Sequence, residues 1–168
     1  MQSTHTYGYA TDSWKDRLTS YNGSTITYDA IGNPLTYNNG SAYTFTWEGR
    51  QMQSASKGNQ TYSYTYNSDG LRIGKTNGTT TYTYTWNDGK LTSQTWGNSY
   101  MLFYYNAEGK PLYVEYHDAN DECSGTYYYV LNLQGDTVAL YDPARNITAV
   151  NYEYDAWGRE LSWSTYDS

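Results

Sequence analysis

Tyr62-Ser63-Tyr64-Thr65-Tyr66-Asn67-Ser68-Asp69-Gly70-Leu71 decides the fold of this chain. Tyr62, Tyr64 and Tyr66 fall on every second position with Ser63 and Thr65 between them, the period of a pleated strand and not of a helix. Asn67-Ser68-Asp69-Gly70 follows at once. Such a cluster, with a glycine free to take positive φ, reverses the chain before Leu71 opens a second apolar segment. The stretch predicts half of a β-hairpin.

The same pattern recurs on both sides of it. Aligned on the residue that precedes the turn, the copies are anchored at Tyr28, Trp47, Tyr66, Trp86, Tyr105, Leu131 and Tyr154, separated by 19, 19, 20, 19, 26 and 23 residues. A period of about 20 is the signature of stacked supersecondary units. Two and four residues before the anchors stand mostly aromatic or apolar side chains, among them Phe45 and Tyr43, Tyr84 and Tyr82, Phe103 and Met101, Tyr129 and Tyr127. Thr and Ser alternate with the rings over Thr19 to Gln94, which predicts a polar Thr/Ser face opposite the ring face.

After the anchors come Asp29, Glu48, Asn67, Asn87, Asn106, Asn132 and Asp155, each able to cap a turn through its side chain. Glycine follows four past the anchor at Gly32, Gly70, Gly109, Gly135 and Gly158, three past at Gly89 and two past at Gly49. The spacing predicts one turn shortened by one residue and one by two. An apolar residue then resumes the strand at Leu35, Met52, Leu71, Leu91, Leu112, Val138 and Leu161. The fold class expected is all-β, with antiparallel hairpin repeats forming one twisted, curved sheet or a β-solenoid segment. Neighbouring repeats must cover each other's rings, because no single repeat holds a core of its own.

At 168 residues with an unbroken period, residues 1–168 read as a single repeat domain of seven to eight copies, a fragment of a longer array. Tyrosine supplies 23 residues and aromatics 18%, so the packing is expected to be made of rings. The net charge of -7 and the scattered ten Lys and Arg residues offer no basic stripe for phosphates, which excludes nucleic acid and anionic membrane surfaces as expected partners. No apolar run approaches the roughly 20 residues that span a bilayer. Cys123 has no second cysteine to pair with and is expected to be buried and inert. Asp118, Asn120, Asp121 and Glu122 lie in a longer connection without the glycine and closing glutamate of a calcium loop, and read as a solvated acidic loop. His5 and His117 lie far apart and no nucleophile motif appears. Glu48, Glu108 and Asp155 sit beside turns, where capping explains them. The expectation is a protein that is not an enzyme and needs no cofactor or metal.

Tyr28-Asp29-Ala30-Ile31-Gly32-Asn33-Pro34-Leu35 and Tyr154-Asp155-Ala156-Trp157-Gly158-Arg159-Glu160-Leu161 resemble the Tyr-Asp (YD) repeats of Rhs proteins, wall-associated polymorphic toxins, insecticidal toxin complexes and teneurins. Tyr127 to Asp136 is similar to the bacterial members. The resemblance implies a long β-ribbon that spirals into a hollow shell, in the bacterial toxins around a toxic C-terminal polypeptide, and a secreted or cell-surface, bacterial location. This chain is too short to close such a shell and lacks a toxin domain after Leu161 and the Asp-containing segment that releases cargo. Asp142-Pro143, inside a strand connection, is not equated with that segment. The resemblance therefore implies a piece of shell wall, with neighbouring repeats or an enclosed polypeptide as partners. A looser similarity is to cell-wall-binding hairpin repeats, whose exposed rings would stack on a glycan. Unpaired end strands would favour self-association.

Overall fold

The computed structural model describes residues 4–12, 14–155, 158 and 160–165. Ala156, Trp157 and Arg159, which the repeat reading used, lie outside them. The described residues hold sixteen strands and no helix, and every pairing between consecutive strands described below is antiparallel. The chain divides into two compact units, Met1–Thr81 and Tyr82–Ser168.

In the first unit, β1 (Tyr7–Tyr9), β2 (Leu18–Tyr21) and β3 (Ser24–Thr25) form a small sheet of their own. β4 (Thr36–Asn38), β5 (Ala42–Glu48), β6 (Gln51–Lys57), β7 (Gln60–Tyr66) and β8 (Arg72–Thr76) pair in chain order. A ladder of rings, Tyr7, Tyr21, Tyr37, Tyr43 and Phe45, joins the two sets of strands at centroid distances of 5.5 to 6.3 Å. The second unit continues through β9 (Thr81–Asn87), β10 (Lys90–Trp96), β11 (Ser99–Tyr105), β12 (Pro111–His117), β13 (Gly125–Leu131), β14 (Thr137–Asp142), β15 (Ile147–Tyr154) and β16 (Glu160–Thr165), again paired in chain order.

Residues directly opposite each other in an antiparallel pair share a face. In the first unit Phe45 faces Ala55, which faces Tyr62, so Tyr43, Phe45, Trp47, Tyr62, Tyr64 and Tyr66 lie together. In the second, Tyr84, Phe103, Tyr129 and Tyr152 share one side, linked through Gln94 and Met101, Val114 and Tyr127, Leu140 and Val150. The rings do collect on one side within each unit. They are half-buried, however, not buried: no described side chain of β5 to β10 is buried, and Ile26, Val114 and Ala139 are the buried apolar side chains among the described residues. The rings pack against side chains of their own sheet, which leaves part of each ring uncovered.

The turns explain the repeat. At Asp29, Asn67, Asn106 and Asn132 the same four bonds recur, all between 2.8 and 3.1 Å. The main-chain N–H donates to the carbonyl four residues on, the carbonyl accepts from the glycine N–H three on, and the side-chain Oδ1 accepts from the N–H groups two and four on. The glycines in this slot, Gly32, Gly70, Gly109, Gly135 and Gly158, have φ of 86, 80, 81, 93 and 76°. Gly158 N–H likewise donates to the Asp155 carbonyl at 3.0 Å.

Glu48 and Asn87 do not cap such turns. They end strands opposite Gln51 and Lys90, and the two residues between are Gly49-Arg50 and Asp88-Gly89. Both turns are shortened by the same one residue between anchor and partner, correcting the unequal lengths that glycine position suggested. Only Gly49 has positive φ in the first turn (57°), whereas Asp88 and Gly89 both do (49° and 73°), the arrangements of type II′ and type I′ hairpins.

Each of the six hairpins that turn after the anchors Trp47 to Tyr154 also carries a β-bulge just beyond its turn, at Gln53, Ile73, Thr92, Leu112, Val138 and Leu161. Bulges strengthen the local twist of the strand. The anchor rings bind the residue that pairs with the preceding anchor: Tyr66 Oη donates to Met52 O and Tyr105 Oη to Leu91 O, both at 2.8 Å, and Trp47 Nε1 to Pro34 O at 2.7 Å. Tyr28 Oη reaches Leu18 O at 2.6 Å. This is why most anchors are rings with a polar tip, and why Leu131 cannot make the contact. Tyr66→Phe is therefore expected to cost about 1 kcal/mol in urea denaturation. An unchanged midpoint would remove the hydroxyl from this role.

Candidate functional site

The two ring faces are covered differently. In the first unit, cations lie over them: Lys57 Nζ is 5.4 Å from the Tyr43 ring centre, Lys75 Nζ 4.7 Å from Tyr62, and the Arg72 guanidinium 5.3 Å from Tyr64. Their alkyl stems shield the rings while their charges reach water.

In the second unit, apolar side chains line a cavity of about 680 Å³ on the ring face, among them Met101, Val114, Leu140 and Val150. That size suits an organic ligand or a few peptide side chains. Two polar features stand within it. Asp142, the last residue of β14, is 2% exposed; its Oδ2 accepts from Arg145 Nη1 at 2.7 Å and its Oδ1 from the Ala144 and Arg145 main-chain N–H groups at 2.9 and 3.1 Å. Burial pushes the Asp142 carboxyl up, but the bonds from Arg145 and the two amides outweigh it and hold the group below the usual carboxylate range. Asp142-Pro143 thus opens the tight turn into β15, in agreement with its reading as a strand connection.

The second feature comes from the acidic connection between β12 and β13. Ala119 N–H donates to the buried Ser99 Oγ at 3.0 Å, Asp118 N–H to Ser124 Oγ at 2.9 Å, and Tyr127 Oη to Cys123 O at 2.7 Å. These bonds bring Glu122 and Cys123 to the cavity lining. Cys123 is exposed, contrary to the burial expected of it, on a loop that Tyr127 holds by its backbone. Among the described residues no three His, Cys, Asp or Glu side chains converge so as to hold a metal ion.

The opposite face of the second unit changes character beyond Gln94, where the Thr/Ser alternation ends. β9 keeps its exposed threonines, but Tyr104 stacks on Tyr113 at 4.4 Å and Tyr113 meets Tyr128 at 5.4 Å. Tyr104 Oη donates to Glu115 Oε2 at 3.1 Å, and burial together with that carboxylate pushes the phenol up. The signal was present in Tyr104-Tyr105 and Tyr127-Tyr128-Tyr129, since adjacent rings must point to opposite sides. Tyr129, on the ring face, is the phenol most affected by burial, which pushes it up to about 12 with help from Tyr105 and Tyr152.

A second cleft of about 540 Å³ is lined by Asn132, Gln134, Asp136, Tyr152, Tyr154 and Asp155, with Tyr152 stacked on Tyr154 at 6.3 Å. Of the repeat anchors, Trp86 pairs with Leu91, Leu131 with Thr137 and Tyr154 with Glu160, each at the mouth of its own turn. Glu108 faces Lys110 at 3.6 Å on an exposed turn.

A crystal structure of TcdB2-TccC3-Cdc42 superposes on this fold with a TM-score of 0.58 at 14% identity, over 98% of this chain and 11% of that one. The chain shares its fold with a stretch of a toxin-complex chain. TcdB2-TccC3 without its hypervariable C-terminal region gives 0.57 at 14% identity, over 93% of this chain and 11% of that one. No family model and no curated protein sequence matches the chain. The likeness to TcdB2-TccC3 supports, at the level of fold, the resemblance carried by the Tyr-Asp repeats, and the chain spans about a tenth of the length of the chains it matches.

Proposed function

We propose that the chain is a non-catalytic scaffold, a segment of a β-ribbon wall of the YD-repeat kind whose ring face lies against an enclosed polypeptide, in a secreted or cell-surface bacterial protein. The observation that carries this reading is the half-buried ring face: β5 to β10 hold no buried side chain, so their rings retain apolar surface for a partner. Such a ring keeps roughly 50 Å², worth about 1 kcal/mol on burial, so a row of several rings together offsets the lower end of the cost of association. The likeness to stretches of long toxin-complex chains supports the same reading. The edge strand β16, exposed at all six residues, would take the next hairpin or a second copy.

The test is a photo-crosslinking residue placed at Tyr84 on the ring face or at Thr83 on the other, in the full-length gene product as its host makes it. Tyr84 is expected to capture polypeptide and Thr83 to capture none. Equal capture at both positions would sink the wall reading.

The cleft of Tyr152, Tyr154, Asn132 and Asp136 favours a second reading, a neutral glycan held between a ring and hydrogen-bonding groups. It predicts saturable binding to a glycan panel that Tyr152→Ala removes without changing the melting temperature.

A further inference from the structure

Resting on the wall reading, we propose that the cavity of the second unit is the docking site for an apolar polypeptide segment carrying a basic residue, with Glu122 as the carboxylate that selects it. The cavity wall is apolar over Met101, Val114, Leu140 and Val150, which fits aliphatic or aromatic side chains and offers little to a sugar. Among the described residues, three charged ones line it: Glu122, Asp142 and Arg145. Asp142 and Arg145 neutralise each other at 2.7 Å, with the carboxylate buried and its oxygens occupied by the turn. Glu122 has no ion-pair partner among the described residues, and its loop is fixed by Ser99 and Tyr127 from the strands beneath. The cavity therefore carries one uncompensated negative charge at an apolar wall, in a chain whose net charge is -7. An acidic segment would be repelled, and an uncharged one would leave Glu122 with water alone.

The experiment uses two decapeptides of Leu, Phe and Ser, one carrying two Lys and the other two Glu, titrated by calorimetry into the whole chain. The Lys peptide is expected to bind at least about tenfold more tightly than the Glu peptide. Glu122→Gln should reduce that ratio to about threefold or less, separating the local carboxylate from the general negative charge. Ala149→Phe fills the cavity and should abolish binding of the Lys peptide. Should that variant fail to melt cooperatively, Glu122→Gln on its exposed loop decides the matter alone. No binding of the Lys peptide, an unchanged ratio in Glu122→Gln, or full binding by a folded Ala149→Phe would overturn the proposal. None of these outcomes bears on the wall reading, which the Tyr84 cross-link tests at a residue outside the cavity.

Discussion

Asp142→Ala is expected to destabilise the second unit by about 3 kcal/mol, read from hydrogen exchange of the β14–β15 amides. The variant removes the acceptor for two main-chain N–H groups and for Arg145, and bonds to a charged acceptor are each worth about 1.5–3 kcal/mol. Arg145 is half-exposed and regains water, which keeps the loss below that of a fully buried pair. Asp142→Asn, which keeps one acceptor oxygen, should lose about half as much. The pH dependence carries a sign. Because the folded carboxyl lies below its ordinary value, its contribution is present above that ordinary value and is lost as pH falls through the lower, folded one. The gap between wild type and Asp142→Ala should hold from pH 7 to about 5 and narrow below about 4. A gap that stays constant to about pH 2 would mean that the charge contributes nothing.

Gly32→Ala should cost the first unit about 2 kcal/mol or more, from two separable causes. Its φ of 86° is strained for any residue with a Cβ, and that Cβ would run into the Trp14 ring. The Trp14 indole is itself held by Arg17, whose guanidinium lies 5.7 Å from it and 5.6 Å from the Tyr28 ring while pairing with Asp12 at 2.8 Å. In a Trp14→Ala background the same glycine substitution should cost only the backbone part, about 1 kcal/mol. Equal costs in both backgrounds, measured by urea denaturation, would remove Trp14 from the account. Above Gly109 stands only the flexible end of Lys90, which can move aside, and Gly135 has open space above it, so a loss limited to the backbone part is expected at both.

Much of this architecture was legible because its causes are local. Tyr62, Tyr64 and Tyr66 alternate, so a strand with one ring face follows from the pleat. Asn67 followed three residues later by Gly70 forms a turn because the Asn oxygen and the glycine φ act within five residues. The second aromatic face was also written in Tyr127-Tyr128-Tyr129, where three rings in a row cannot all face one way. The bulges were not legible, since Ile73 and Leu112 look like ordinary strand residues until Tyr66 and Tyr105 are set opposite Arg72 and Pro111. The cavity was hidden for the same reason: Met101, Val114, Leu140 and Val150 are ordinary strand residues, and only register across five strands sets them on one wall.

From the sequence alone came the antiparallel hairpins, their period, their turn chemistry and the side on which each strand keeps its rings, because these depend on dihedral preferences and hydrogen bonds among near neighbours. The tertiary structure alone decided how deeply the rings are covered, which loop brings Cys123 and Glu122 to the cavity of the second unit, and that an ion pair lines it. Those outcomes depend on strand register and on which loop lies over which face, and these are fixed by contacts between residues far apart in the chain.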